Sequence, residues 1–408
     1  MTASIKQPSR GEFVALMAVM MSLIALSIDA MLPALPYIAE SLGVQNDNDR
    51  QAVVSVVFLG MAIGQLIYGP FSDSTGRKPV IFFGIMLFVV GCLMCIFATT
   101  YTTMLVGRFL QGVGVAAPRN LTVAIVRDRF AGNAMAQVMS LIMSIFILVP
   151  MMAPALGQLV LWVSDWRGIF VMFLVIALIV LTWFTLRQPE TLARENRRPF
   201  KLASIWQAFV EVCTNRLVVA YTMAASLVSG AFIGYLVSAQ QIFQELYKTG
   251  SAFAFYFAVA SISLGVAALV NSRLVMRHGM AQMTNWALWF LSMISALFLL
   301  LVTQYAGAPP FWMFMTYLFM GLFPVGILFG NLNAMAMEPL GHIAGMGAAV
   351  IGSVTTILSL FLGGLVGYLF DNTIIPLIAG FAILCGGALV ICVRTERSVR
   401  WQLNSKED

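Results

Sequence analysis

Residues Gly60 to Pro79 read GMAIGQLIYGPFSDSTGRKP. An apolar run drops here into a tight turn carrying Asp73, Arg77 and Lys78, and the chain becomes apolar again at once, over 80–98. Gly60 and Gly64 stand at the spacing that lets membrane helices pack closely. A charged turn punctuated by Gly and Pro between two helix-length apolar stretches predicts two spanning helices joined at a membrane surface.

Working outward, the whole chain has this character. It is 60% apolar and 10% charged, with a mean hydropathy of +0.91, where a soluble domain carries about 25% charged residues. Apolar runs of about 20 residues, enough to cross the hydrocarbon layer as helices, recur to the end and leave no segment for a soluble domain. The reading is an integral membrane protein. The apolar run after the polar, basic first eleven residues is too long for a signal peptide, contains Asp29 and lacks a small-residue cleavage site, so it is expected to be the first span. Of the five cysteines, Cys92 and Cys95 form a CxxC with no His or other Cys beside it. Small core- or lipid-facing residues are expected there, with no metal or redox site.

Spans are expected at about 12–34, 52–72, 78–99, 102–125, 136–160, 167–187, 217–240, 251–273, 281–303, 310–336, 341–368 and 373–394. The longest polar gap follows the sixth and holds Arg194, Arg197, Arg198 and Lys201. The fold class is therefore an all-α integral membrane fold of twelve transmembrane helices in two six-helix halves: 1–187, a cytoplasmic linker 188–216, and 217–408 with a short cytoplasmic tail. Residues 202–212 of the linker read either as an amphipathic surface helix, with Trp206 and Phe209 at the headgroups, or as disordered chain.

Basic residues set the orientation, since Lys and Arg collect on the cytoplasmic side. With the N-terminus inside, Arg50, Arg167 and Lys248 fall outside and Arg108 and Arg119 within spans, which leaves 18 of the 23 Lys and Arg cytoplasmic. Both termini are expected in the cytoplasm. The net charge of +6 then reflects topology, and no nucleic-acid partner is expected.

Two six-helix halves are what a transporter with internal repeats presents, with its ligand site near the bilayer midplane. The stretch Asn271 to Gly279, NSRLVMRHG, has the place and basic character of the opening turn without its Asp and reads as a decayed second copy. Gly69-Pro70-Phe71-Ser72-Asp73-Ser74-Thr75-Gly76-Arg77-Lys78-Pro79 resembles the loop signature GxLxDxxGRK of the major facilitator superfamily, between helices two and three as in that family. Leu105 to Gly114 (LVGRFLQGVG) resembles the fourth-helix RxxQG signature of its drug and proton antiporters. Arg127-Asp128-Arg129-Phe130, Val149 to Gly157 (VPMMAPALG) and Asn331 to Gly345 (NLNAMAMEPLGHIAG) resemble the bicyclomycin-resistance (Bcr/CflA) branch. The fifth span departs from the antiporter ending GPxxGG, with Ala153-Pro154-Ala155-Leu156-Gly157-Gln158 in its place. The resemblance implies a proton-coupled exporter of small apolar or amphipathic compounds, monomeric, in a bacterial inner membrane, with the proton gradient as energy source and no cofactor. An importer or exporter of a metabolite such as a sugar, nucleoside or amino-acid derivative is the alternative. No nucleophile–base pair, metal cluster or phosphate loop suggests an enzyme.

Asp29 is the only acid well inside an apolar span, a placement that costs about 2.5–3.5 kcal/mol on insertion scales and marks a functional candidate. Taking a carboxylate out of water favours its neutral form, as a proton carrier requires. The alternative is a polar helix terminus before Pro33 and Pro36, wetted from outside. Arg108 should lie at similar depth, so an ion pair with Asp29 is geometrically open, as is a structural polar bridge. Arg119 follows eleven residues on, three turns along the same face. It reads either as a guide for protons or an anionic substrate group, or as a side chain snorkelling to the cytoplasmic surface. Pro118 before it removes a backbone donor.

The resemblance assigns Asp73 and Arg77 to a cytoplasmic gate that latches one state of the transport cycle, with Asp128 as the acid that fits Arg77; Lys78, Gly69 and Gly76 belong to the same turn. The alternative is a topogenic basic loop. Pro150, Pro154 and Gly157 are the expected hinge of the fifth span. Gln65, Tyr68, Gln111, Gln158, Tyr221, Gln240 and Asn331 are polar groups within spans and candidates to line a substrate cavity. The 26 Met and 12% aromatics serve equally a cavity or the lipid face. Asn331 and Asn333, two apart, cannot aim at one spot from one helix. Glu338 and His342 around Pro339 read as a surface cap. The expected partners are a small-molecule substrate, protons and the bilayer.

Overall fold

In the computed structural model, residues 8–46, 48–130, 132–197 and 202–404 are described. Among them all regular structure is helical. Lys6, Arg198, Lys201 and Lys406 of the topology argument lie outside these residues, as do the side chains of His342 and Arg400. Among the described residues twelve helical segments are long and apolar enough to cross a membrane, and the chain is a multi-pass membrane protein of the expected class.

The chain divides into two compact units, Met1–Ile205 and Trp206–Asp408. The first holds α1 (Arg10–Asp29), α2 (Leu35–Ser41), α3 (Ala52–Thr75), α4 (Arg77–Ile96), α5 (Tyr101–Arg129), α6 (Gly132–Val163) and α7 (Arg167–Arg187). In it α5 packs on α3 and α4, α1 on α6 and α5, and α4 on α7. Close approach of backbones explains the glycines of the opening stretch: a Cβ on Gly60 would run into Phe109 O, and one on Gly112 into Val57 O. Small residues thus let α3 and α5 cross in contact, as membrane helices without a hydrophobic drive between them require.

The linker helix α8 (Leu202–Thr214) is followed by α9 (Arg216–Gln240), α10 (Phe253–His278), α11 (Met280–Gln304), α12 (Phe311–Met337), α13 (Ala344–Tyr368) and α14 (Ile375–Asn404). In the second unit α12 packs on α10 and α11, α9 on α13 and α12, and α11 on α14, the same scheme as the first. Helix α8 is amphipathic: Trp206, Phe209 and Val210 are exposed, Ala208 and Val212 buried.

Two boundaries differ from expectation in ways that matter. The first span was expected to end near residue 34 but runs from Arg10 to Ser41, 32 residues. It breaks after Asp29 and resumes through a 3-10 turn, Leu32–Ala34, into α2. Pro33 and Pro36 occupy first-turn positions, where a missing N–H leaves nothing unsatisfied, so they redirect the span without ending it. Helix α5 runs four residues past the expected 125 to Arg129. Arg127 and Arg129 then lie in its last turn, where cations complement the helix dipole, and Asp128 is held on a helix.

The two turns read as copies share their backbone. Gly76 ends α3 and starts α4 at φ 112°, ψ 160°, and Gly279 ends α10 and starts α11 at φ 80°, ψ 159°. This region is essentially confined to glycine.

Candidate functional site

Asp29 is the last residue of the 20-residue α1, mid-way through a 32-residue span. It is 5% exposed. Among the described residues its carboxylate has no hydrogen-bond or ion-pair partner. Twelve further residues of the span follow it.

Arg108 is fully buried. Its Nη2 donates to Ser27 O (3.0 Å), its Nε to Val53 O (2.9 Å) and its Nη1 to Gln111 Oε1 (2.7 Å), and its guanidinium faces the Phe170 ring at 5.8 Å. Ser27 O is one of the last four carbonyls of α1, which have no partner within the helix. Arg108 therefore caps the α1 C-terminus with a charge of the sign its dipole calls for. The ion pair with Asp29 that similar depth left open is not formed, because backbone carbonyls and Gln111 take the donors. Arg108 reaches Asp29 only through the turn it caps.

Gln111, expected as a cavity lining, is fully buried; it accepts from Arg108 and its Nε2 donates to Cys92 Sγ (3.3 Å). It braces Arg108. Asn331 is likewise engaged, exchanging amide hydrogen bonds with Asn271 of α10 (2.9 and 3.1 Å), while Asn333 is exposed, so the two do part. Gln240 donates to Gln244 Oε1 (3.1 Å) and Glu245 Oε1 (3.2 Å) where α9 passes into a π-helical turn, Gln241–Leu246. Tyr221 is buried and Gln158 half-buried. Gln65 and Tyr68 are buried on α3, and Gln65 Oε1 has no partner. Arg119 turns to α3 at mid-span, its Nη1 2.9 Å from Met61 Sδ; it does not extend toward the helix end as snorkelling would have it.

The constellation around the turn between α3 and α4 assembles. Arg77 Nε donates to Asp128 Oδ2 (3.1 Å) and its Nη1 to Asp73 Oδ1 (2.5 Å) and Ser72 Oγ (2.6 Å). Ser72 Oγ in turn donates to Gly69 O (2.8 Å). Lys78 Nζ donates to Thr185 O (2.7 Å), an end carbonyl of α7.

Glu190 completes the group and was not foreseen. Its carboxylate accepts from the backbone N–H of Arg77 (2.9 Å) and Lys78 (3.0 Å), the first free donors of α4, and from those of Thr191 and Leu192 (both 3.0 Å). Thr191 Oγ1 donates to Asp128 Oδ2 (3.1 Å). The chain leaving α7 is thereby tied to the opening turn. The room for it is Gly76: a Cβ there would stand 2.6 Å from Glu190 Oε2. A second carboxylate, Glu12, receives Arg187 through two bonds (2.6 and 2.7 Å) and Trp183 Nε1 (3.2 Å), joining the start of α1 to the end of α7.

Helix α6 is unbroken past Pro150 and Pro154. Gly157 lies against the first span where it bends: a Cβ there would collide with Ala30 O, next to Asp29.

The sequence pattern of the Major Facilitator Superfamily matches residues 17–356. A bicyclomycin resistance protein homolog of Haemophilus influenzae is 28% identical over 389 residues, 95% of this chain and 96% of that protein. Multidrug resistance protein MdtL of Citrobacter koseri is 26% identical over 88% of this chain and 90% of its own. In fold, the xylose transporter XylE from E. coli superimposes with a TM-score of 0.72 at 12% identity, over 94% of this chain and 97% of that one. With its twelve spans, the Gly76 turn and the Arg108 and Arg77 constellations in place, this chain belongs to the Major Facilitator Superfamily of membrane transporters.

Proposed function

We propose that the protein is a proton-coupled exporter of small apolar or amphipathic compounds, working by alternating access as a monomer in a bacterial inner membrane with both termini in the cytoplasm. Relatives spanning nearly its whole length bear the names bicyclomycin resistance protein homolog and multidrug resistance protein, and the basic residues favour the orientation.

The observation that carries the coupling is Asp29: a partnerless, buried carboxylate at a break in the middle of the first span. Asp29 binds the proton in one state and releases it in the other. Arg108 retains its proton throughout and holds the turn that aims Asp29. Each proton moving inward releases about 2.3 kcal/mol per 100 mV of potential, enough to drive a one-for-one exchange. Arg77, Asp73, Asp128 and Glu190 act as the cytoplasmic latch, and Gly157 with Pro150 and Pro154 as the hinge against the bend in the first span.

The test is transport in proteoliposomes under an imposed pH gradient. Substrate movement opposite to proton flow is expected, and Asp29→Asn abolishes gradient-driven transport while leaving binding of neutral compounds largely intact. Co-movement with protons would instead exclude exchange and favour the metabolite reading; the altered Ala153 to Gln158 segment bears on the direction of transport alone. Unchanged transport by Asp29→Asn would remove that residue from the mechanism.

A further inference from the structure

Two pairs of polar side chains join helices of the second unit, and they differ in one respect. Asn271 of α10 and Asn331 of α12 exchange two bonds, each amide donating once and accepting once (2.9 and 3.1 Å). Asn285 of α11 and Glu396 of α14 make only half of such an exchange. Asn285 Nδ2 donates to both oxygens of Glu396 (2.8 and 2.7 Å), while Asn285 Oδ1 is buried and has no donor. An ionised carboxylate only accepts, whereas a protonated one offers an O–H beside its carbonyl and so has the donor and acceptor of an amide. A proton on Glu396 is what turns the second pair into the likeness of the first. Nδ2 then donates to one oxygen, and the O–H on the other donates to Oδ1.

The surroundings offer the ionised form no cation. Glu396 is half-buried inside the last span, Ile375–Arg397, and no Lys, Arg or His lies within ion-pair distance of it among the described residues. Helix α11 carries no titratable side chain. Of the other helices packed on α14, α9 presents Tyr221, buried and close enough to feel the Glu396 charge, and α13 only Tyr368 at its far end. Helix α14 itself adds the buried Cys392 one turn away. Glu338, after α12, acts on the same Tyr221 and brings a second negative charge. Arg394 and Arg397 on α14 and Arg216 at the start of α9 are exposed. A carboxyl group that shares its site with another acid and an orphaned carbonyl oxygen is better accommodated neutral.

We propose that Glu396 and Asn285 form a proton-binding site in the second unit, distinct from Asp29. It goes beyond the reading above, which places the proton in the first unit, and it holds whatever compound is moved. One proton is taken from water and one O–H bond forms; nothing is oxidised or reduced.

The test uses the purified full-length protein in detergent with Asp29→Asn in every sample, so the outcome is independent of that residue. Unfolding is followed against pH in this background and with Glu396→Gln added. The amide of Glu396→Gln has a permanent donor and mimics the protonated acid. A site that favours the proton in the folded state contributes stability at low pH and loses it as pH rises. The two samples should therefore agree within about twofold in their unfolding equilibrium at about pH 4. At about pH 8 the Glu396→Gln sample should be about tenfold less unfolded, the effect of one bond to a buried acceptor. His278, whose ring lies 5.2 Å from that of Trp286 beside Asn285, is present in both samples and cancels. At about pH 6, where ordinary glutamates are ionised, the infrared spectrum should show a protonated-carboxyl band that Glu396→Gln removes and Asn285→Leu displaces. Equal stability at every pH, or a Glu396→Gln sample less stable than its background at about pH 8, would mean that the ionised carboxylate is the preferred form and overturn the proposal. An infrared spectrum unchanged by Glu396→Gln would overturn it as well.

Discussion

Replacing Glu190 by Ala tests whether the chain leaving α7 holds the opening turn in place. The carboxylate bonds the N–H groups of Arg77 and Lys78 at 2.9 and 3.0 Å, and these are the long-range part of its role; the bonds to Thr191 and Leu192 close a local turn. A hydrogen bond to a charged group contributes about 1.5–3 kcal/mol, and a negative charge at a helix N-terminus about 0.3–1 kcal/mol more. Because the site is only partly buried, water replaces part of each bond, and about 2 kcal/mol is a sober total, roughly a 30-fold rise in the opening of this segment. Hydrogen exchange over residues 76–80 and 188–192 measures that opening directly. Glu190→Gln, which retains an acceptor oxygen without the charge, should fall between Ala and wild type. Thr191→Val, which loses one bond to Asp128, should raise exchange by less than about fivefold. Exchange in Glu190→Ala indistinguishable from wild type in both segments would refute the argument that this carboxylate is a tie.

Other outcomes follow from the same geometry. Arg108→Lys cannot reproduce a three-way fork to Ser27, Val53 and Gln111, and leaving two of these buried acceptors unmet should lower stability by about 3 kcal/mol, read as a fall in the detergent unfolding midpoint, along with transport. Asn331→Leu orphans the Asn271 amide at a cost of about 1–3 kcal/mol, whereas the double change Asn271→Leu with Asn331→Leu should recover most of it, since removing both partners of a buried bond is nearly neutral. Alanine at Gly76 and at Gly279 should not cost the same, although the two backbones match.

Much of the fold was legible in the sequence because the bilayer simplifies it. A membrane helix must satisfy its own backbone, so apolar length and the placing of Lys and Arg locate twelve spans without knowledge of packing. The break after Asp29 was not legible as a break, since Pro33 and Pro36 serve equally to end a helix or to start the next turn of one. The site was legible in residue types and not in partners. Asp73, Arg77 and Asp128 could be grouped because a turn and a helix end bring them near. Glu190 could not: it follows Pro189 in a polar linker, and nothing local indicates that its carboxylate reaches back past a hundred residues to cap α4. Asp29 and Arg108 are neighbours, Arg108 bonding the carbonyl of Ser27 two residues before Asp29, but nearness does not decide bonding. A guanidinium near unpaired helix-end carbonyls finds acceptors there first.

The matched glycines allow the Glu190 tie to be separated from the turn that carries it. Gly76 and Gly279 adopt nearly the same conformation, φ 112° and 80° with ψ 160° and 159°, in a region that costs any other residue about 1–3 kcal/mol. Alanine at either site incurs that strain. Beyond it the two differ: nothing lies within 4 Å of a Cβ on Gly279, whereas one on Gly76 meets the Glu190 carboxylate at 2.6 Å and Arg197 Nη2 at 3.0 Å. The second unit ties the corresponding helices elsewhere, Asn285 of α11 donating to both oxygens of Glu396 on α14 (2.8 and 2.7 Å), so its turn is left bare. Gly279→Ala should therefore report backbone strain alone, and Gly76→Ala the same strain plus displacement of Glu190, a further loss of about 2 kcal/mol. In a Glu190→Ala background that excess should vanish, the two glycine variants becoming equal in unfolding midpoint. If Gly76→Ala remains the more damaging of the two without Glu190, the carboxylate is not what the glycine makes room for, and the opening turn is held by Arg77 and its acids alone.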